Sequence, residues 1–150
     1  MNKKVAVSLS KCLTIVFGLI LIGSLFFIPY ITGFIDYYLE KKLGTPFTVA
    51  LYLSDAVGLV VLIFVYQLLK RLEKNLVFVA ENAASIRNIG FCMFALALIS
   101  AVLGFVRIKT PGMFSFAFSF LFLFLGIIML TLANVFRAAV SMKEEQDFTI

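Results

Sequence analysis

Four long apolar runs, separated by short polar clusters, set the pattern of this 150-residue chain. They cover residues 13–35, 47–69, 89–106 and 113–136. Each approaches or exceeds the roughly 20 residues that a helix needs to cross about 30 Å of hydrocarbon. The third run is the shortest and borrows its flanks. In the fourth, Phe114, Phe116, Phe118, Phe120, Phe122 and Phe124 alternate strictly. A lone strand cannot cross lipid, because its backbone groups would go unsatisfied. On a helix, residues two apart wrap around the cylinder, so these rings face both lipid and neighbours. The pattern predicts one all-α domain over residues 1–150, an integral membrane four-helix bundle made of two helical hairpins.

The polar breaks refine that plan. Residues 36–44 form a short polar and aromatic loop, after which Thr45-Pro46 restarts a helix. Thr suits an N-cap, and Pro in the first turn loses no needed hydrogen bond. Residues 107–112 hold a Pro-Gly pair and read as a tight hairpin. The middle break is different. Leu72, Leu76, Val79, Ala83, Ile86 and Gly90 recur at spacings of four and three, with Glu73, Lys74, Glu81, Asn82, Arg87 and Asn88 mostly off that stripe. This spacing predicts a cytoplasmic amphipathic segment at about 72–88, in which the second helix runs on to about Asn75 and an amphipathic helix from about Val79 leads into the third crossing. One reading lays that helix on the membrane or the bundle; the other makes it a docking surface. Residues 65–78 also resemble residues 135–148, seventy positions on. That repeat points to two hairpins of similar design, or to chance likeness between two basic helix ends.

Composition agrees with lipid as the solvent. The chain is 63% hydrophobic and 14% charged, against about 45–50% and about 25% for an ordinary globular domain. A net charge of +5 could point to nucleic acid, but the basic residues flank the apolar runs instead of lining one face. They read as orientation signals, and no direct nucleic-acid contact is expected. Lys3, Lys4, Lys11, Lys70, Arg71, Lys74, Arg87, Arg137 and Lys143 fall on one side, against Lys41, Lys42, Arg107 and Lys109 on the other. The positive-inside rule puts the larger group, with both termini and the middle break, in the cytoplasm. Tyr30, Tyr37, Tyr38 and Tyr52 then gather near the outer interface. The first run lacks an A-x-A-type cleavage site and is too long for a typical signal-peptide core, so it reads as retained. Lys11 before Cys12 excludes a lipobox.

Candidate chemistry is sparse. The chain has no His and two Cys, so zinc-ligand spacings and a histidine base are absent. No catalytic, metal-binding or cofactor-binding residue is assigned, and no enzyme activity is expected. Asp55 is the one acidic residue inside a predicted crossing, nine residues and roughly 13 Å beyond Pro46. An intramembrane carboxyl is costly and marks a candidate transport or ligand site. Small multidrug-type transporters also have four helices, but their carboxylate is a first-helix glutamate; here residues 13–35 carry no charge. Asp55 is otherwise structural, paired with Arg107 or hydrogen-bonded to Ser54 and Tyr52. Cys12 and Cys92 lie near the cytoplasmic ends of helices that run the same way, as packing cysteines or, if those helices touch, a redox pair. Asn134 and Arg137 read as interfacial anchors.

Residues Phe78-Val79-Ala80-Glu81-Asn82 and Ile86-Arg87-Asn88-Ile89-Gly90, with the tail from Val135-Phe136-Arg137 through Lys143-Glu144-Glu145-Gln146-Asp147-Phe148-Thr149-Ile150, resemble segments of the YoaS-like four-helix bacterial membrane proteins. The resemblance extends over essentially the whole chain. That family's members are often encoded beside a small Cro/CI-type helix-turn-helix regulator. The resemblance therefore implies a membrane sensor, anchor or modulator of a transcription factor, with no established reaction or ligand. The chain departs from the family at the inner turn, where Leu76-Val77 precede Phe78 instead of Gly or Asn with Pro.

The expectation is thus a non-enzymatic, multi-pass plasma-membrane protein. Phe78, Glu81, Asn82 and Arg87, with Lys143, Glu144, Glu145 and Phe148 of the tail at 138–150, are its candidate docking residues. Its expected partners are the bilayer and a cytoplasmic helix-turn-helix regulator, and a homo-oligomer is compatible with the pattern. The alternatives are a small transporter or channel using Asp55, or an immunity protein against a secreted peptide.

Overall fold

The computed structural model describes residues 3–39, 44–106 and 112–148, with the side chains of a few residues at the helix ends outside the description. They form four helices: α1 (Lys3–Leu39), α2 (Gly44–Glu73), α3 (Ala80–Val106) and α4 (Gly112–Phe148). Each contains a stretch long and apolar enough to span a membrane: Val5–Tyr38, Gly44–Glu73, Ala80–Gly104 and Ser115–Gln146. The large apolar side chains point outward, with Phe26 74% and Phe120 72% exposed. Water would not tolerate such a surface, whereas lipid does.

Packing among the described residues runs only between sequence neighbours: α1 with α2, α2 with α3, and α3 with α4. α1 touches neither α3 nor α4. Cys12 and Cys92 therefore sit on helices that do not meet, which removes the basis for a redox pair; both thiols are free. The α3–α4 hairpin is the most closely packed pair. A Cβ on Gly90 would lie 3.3 Å from the Gly126 carbonyl, and one on Gly126 would lie 3.3 Å from the Gly90 carbonyl. The two backbones thus cross almost in contact, as small residues permit in lipid. Ala83, Gly90, Ala97 and Gly104 recur every seven residues on α3 and are buried; Gly126, Ala133 and Val140 do the same on α4. Ser119, one heptad before Gly126, donates to the Ala97 carbonyl at 2.8 Å. A seven-residue repeat keeps two helices in register along their length. Phe116 closes the far end, lying 3.1 Å from the position of a Cβ on Gly104.

The break between the second and third helices falls where the spacing put it, but no separate cytoplasmic amphipathic helix occupies 72–88. α2 stops at Glu73, a turn follows, and α3 begins at Ala80 and continues unbroken into the third crossing. Ala83, Ile86 and Gly90 of the predicted stripe are buried, so the stripe is a packing seam of α3. Spacings of four and three mark any helix with one covered face, and a seam between helices has the same signature as a face lying on a membrane. The repeat likewise diverges: α2 ends in a turn where α4 stays helical to Phe148. The predicted hairpin turn at 107–111, including Arg107, lies outside the described residues.

Candidate functional site

Two polar constellations stand out, one at the end of the bundle that carries both termini and one within the membrane span. The first is the α2–α3 turn. Asn75 takes a left-handed φ of 60°, which Asn tolerates better than most residues. The amide of Leu76 bonds to the Arg71 carbonyl at 3.0 Å and that of Asn75 to the Leu72 carbonyl at 3.1 Å. This pair of bonds is a Schellman C-cap, and it satisfies carbonyls that a helix end would otherwise leave open.

Asn82 then ties the turn to α3. It is 1% exposed, and its Nδ2 donates to the carbonyls of Leu76 and Val77, both at 2.8 Å. Its Oδ1, also buried, finds no hydrogen-bond partner among the described residues. Arg71 crosses from α2 to the first turns of α3, donating to Ser85 Oγ at 2.9 Å and to the Glu81 carbonyl at 3.3 Å. The Ser85 hydroxyl in turn donates a hydrogen bond to the Glu81 carbonyl at 2.9 Å. Phe78 packs near Phe136 of α4, their ring centroids 6.3 Å apart. Lys11 of α1 pairs with Glu73 at 2.6 Å and sits 5.8 Å from the Tyr66 ring centroid. All four helices therefore contribute to this end.

The candidate docking residues divide accordingly. Phe78, Glu81, Arg87, Lys143, Glu144 and Glu145 are exposed. Asn82 is not available for docking, because its side chain is enclosed and spent on the turn; this corrects the expectation drawn from its polarity. The Phe148 side chain lies outside the described residues. Arg71 and Ser85 had no motif to mark them, since their role arises from the crossing of two helices.

The second constellation joins α1 to α2. Asp55, half-buried, lies with Oδ2 2.6 Å from Ser24 Oγ. Ser24 Oγ is also 2.7 Å from the Leu21 carbonyl. The partner expected from neighbouring sequence, Ser54 or Tyr52, is replaced by a serine 31 positions away. One turn along, Leu21 fits against Gly58, where a Cβ would approach it to 3.1 Å. Among the described residues, no cluster of three or more His, Cys, Asp or Glu could hold a metal ion.

Four helices long and apolar enough to span a membrane define a multi-pass membrane protein. The chain belongs to the family described as a protein of unknown function, DUF2975, whose model matches residues 36–150. No curated protein and no solved structure matches it.

Proposed function

We propose that this protein is a non-enzymatic component of the bacterial plasma membrane that anchors or modulates a cytoplasmic helix-turn-helix regulator. The observation that carries the reading is the extension of α4 as helix past the apolar run at 113–136 to Phe148. That extension exposes Lys143 and Glu144 at the end where the α2–α3 turn exposes Phe78 and the start of α3 exposes Glu81 and Arg87. A rigid, charged projection beside an exposed aromatic suits recognition of a folded partner better than solvation alone. The asymmetry of Lys and Arg supports a cytoplasmic position for this end. The YoaS-like resemblance supports a small regulator as the partner.

The test is binding of a purified helix-turn-helix protein, encoded beside this chain, to the full-length protein in nanodiscs. Binding is expected, with a loss of about tenfold or more on combined charge reversal at Arg87, Glu144 and Glu145. Affinity unchanged by the reversals would overturn this docking surface.

A second reading is favoured by the Ser24–Asp55 bond within the span: a small transporter in which Asp55 handles a proton or cation. It predicts a proton-coupled flux in proteoliposomes that Asp55→Asn abolishes. A wild-type protein without flux would exclude it.

A further inference from the structure

We infer that α1 is a displaceable helix whose seat on the bundle is set by the Ser24–Asp55 hydrogen bond. This stands apart from the docking reading and concerns the opposite hairpin. Among the described residues α1 packs on α2 alone. Most of its large side chains are exposed, and among the described residues only Ile28 and Thr32 of α1 are buried. Lipid tails are as apolar as the side chains of α1, so no hydrophobic force drives it onto α2. What can hold it is close packing or polar contact, and the two hairpins differ in both.

In α3–α4, glycines let the backbones meet, a seven-residue repeat of mostly small residues lines the seam, and Ser119 bonds across it. In α1–α2, Gly58 admits Leu21, but Gly18 meets only Leu62 at 3.9 Å, and Gly23 and Gly33 meet nothing within 4 Å. Polar contacts between these two helices include Lys11 with Glu73 and the Tyr66 ring, and Ser24 with Asp55. The first is exposed at the bundle end and contributes little. The second lies some 18 residues, about 27 Å, farther along α2. If it parts, a carboxyl group is left facing lipid without a partner, so separation of α1 at this level carries a penalty that apolar contacts do not impose. Pro29, just beyond Ser24, removes one backbone bond of α1. That weakened point lets the helix bend next to the clasp instead of moving only as a rod. The Ser24–Asp55 bond thus fixes the register of α1 and is the contact whose loss frees it.

The test uses the full-length protein in native-composition vesicles, with Cys12→Ser and Cys92→Ala as background. A disulfide between Leu21→Cys and Gly58→Cys reports the α1–α2 seat; one between Ala97→Cys and Ser119→Cys reports α3–α4. Ser24→Ala and Asp55→Leu are each expected to slow formation of the α1–α2 disulfide about fivefold, corresponding to about 1 kcal/mol. The α3–α4 disulfide keeps its rate, and Ser24→Thr retains the parent rate in both. An α1–α2 rate unchanged in Ser24→Ala and Asp55→Leu would overturn the inference. So would equal slowing of both disulfides, because that would make the bond a support of the whole bundle and not the seat of α1.

Discussion

The crossing of Gly90 and Gly126 offers the sharpest test of how this bundle is held. Consider Gly126→Leu. A Cβ there meets the Gly90 carbonyl at 3.3 Å, the Phe94 ring at 3.3 Å and the Met93 Cβ at 3.4 Å. Two of these neighbours are backbone or the root of a side chain, so they cannot swing aside. Alanine at 126 needs a shift of a few tenths of an ångström, and its better helix propensity, about 1 kcal/mol over glycine, roughly offsets the strain. Leucine adds branches beyond Cβ and must push α3 and α4 apart. Overpacking of this kind costs about 1–3 kcal/mol. Widening also stretches the 2.8 Å bond from Ser119 to the Ala97 carbonyl, adding about 1 kcal/mol. The expected loss is about 2–4 kcal/mol for Gly126→Leu and close to zero for Gly126→Ala. Unfolding by SDS in mixed micelles, followed by the near-ultraviolet signal of the aromatic rings, measures it. Gly23→Leu is the control, since nothing lies within 4 Å of a Cβ there. If Gly126→Leu and Gly23→Leu unfolded at the same SDS fraction, the seam would not be what stabilises the hairpin.

Other outcomes follow from the turn and the charged pair. Asn82→Leu leaves the Leu76 and Val77 carbonyls without their donor and should cost about 2–3 kcal/mol in the same unfolding assay. Asn75→Gly should stabilise by about 0.5 kcal/mol and Asn75→Val destabilise by about 1–2 kcal/mol, because the backbone there is left-handed. Lys11→Gln, which breaks an exposed pair with Glu73, should leave the SDS midpoint where it was.

The crossings were legible because a bilayer demands long apolar runs, and residues 13–35, 47–69, 89–106 and 113–136 each lie within a helix. Their true extents were less so. α1 and α4 continue past their apolar runs, since a helix started in lipid needs no apolar side chain to persist through another turn or two. The seven-residue recurrence of small residues in α3 and α4 was present in the letters, but Leu and Phe outnumber it and carry the hydropathy. Asp55 was visible as an anomaly, whereas Ser24 was not, because only the register of two antiparallel helices brings them together. Asn82 looked like a surface polar residue. Its burial follows from a turn that folds the Leu76 and Val77 carbonyls back over it, a geometry no local spacing encodes.

The restriction of packing to sequence neighbours has a consequence for biogenesis. No helix waits for a distant one to complete its contacts, so the chain can assemble in the order in which it leaves the ribosome, with little loop-closure entropy to overcome. The α3–α4 hairpin, synthesised after α2 and packed most closely, then consolidates against an α2 already in place. A truncated chain starting at α2 should insert and retain the α3–α4 seam, since nothing in that seam depends on α1.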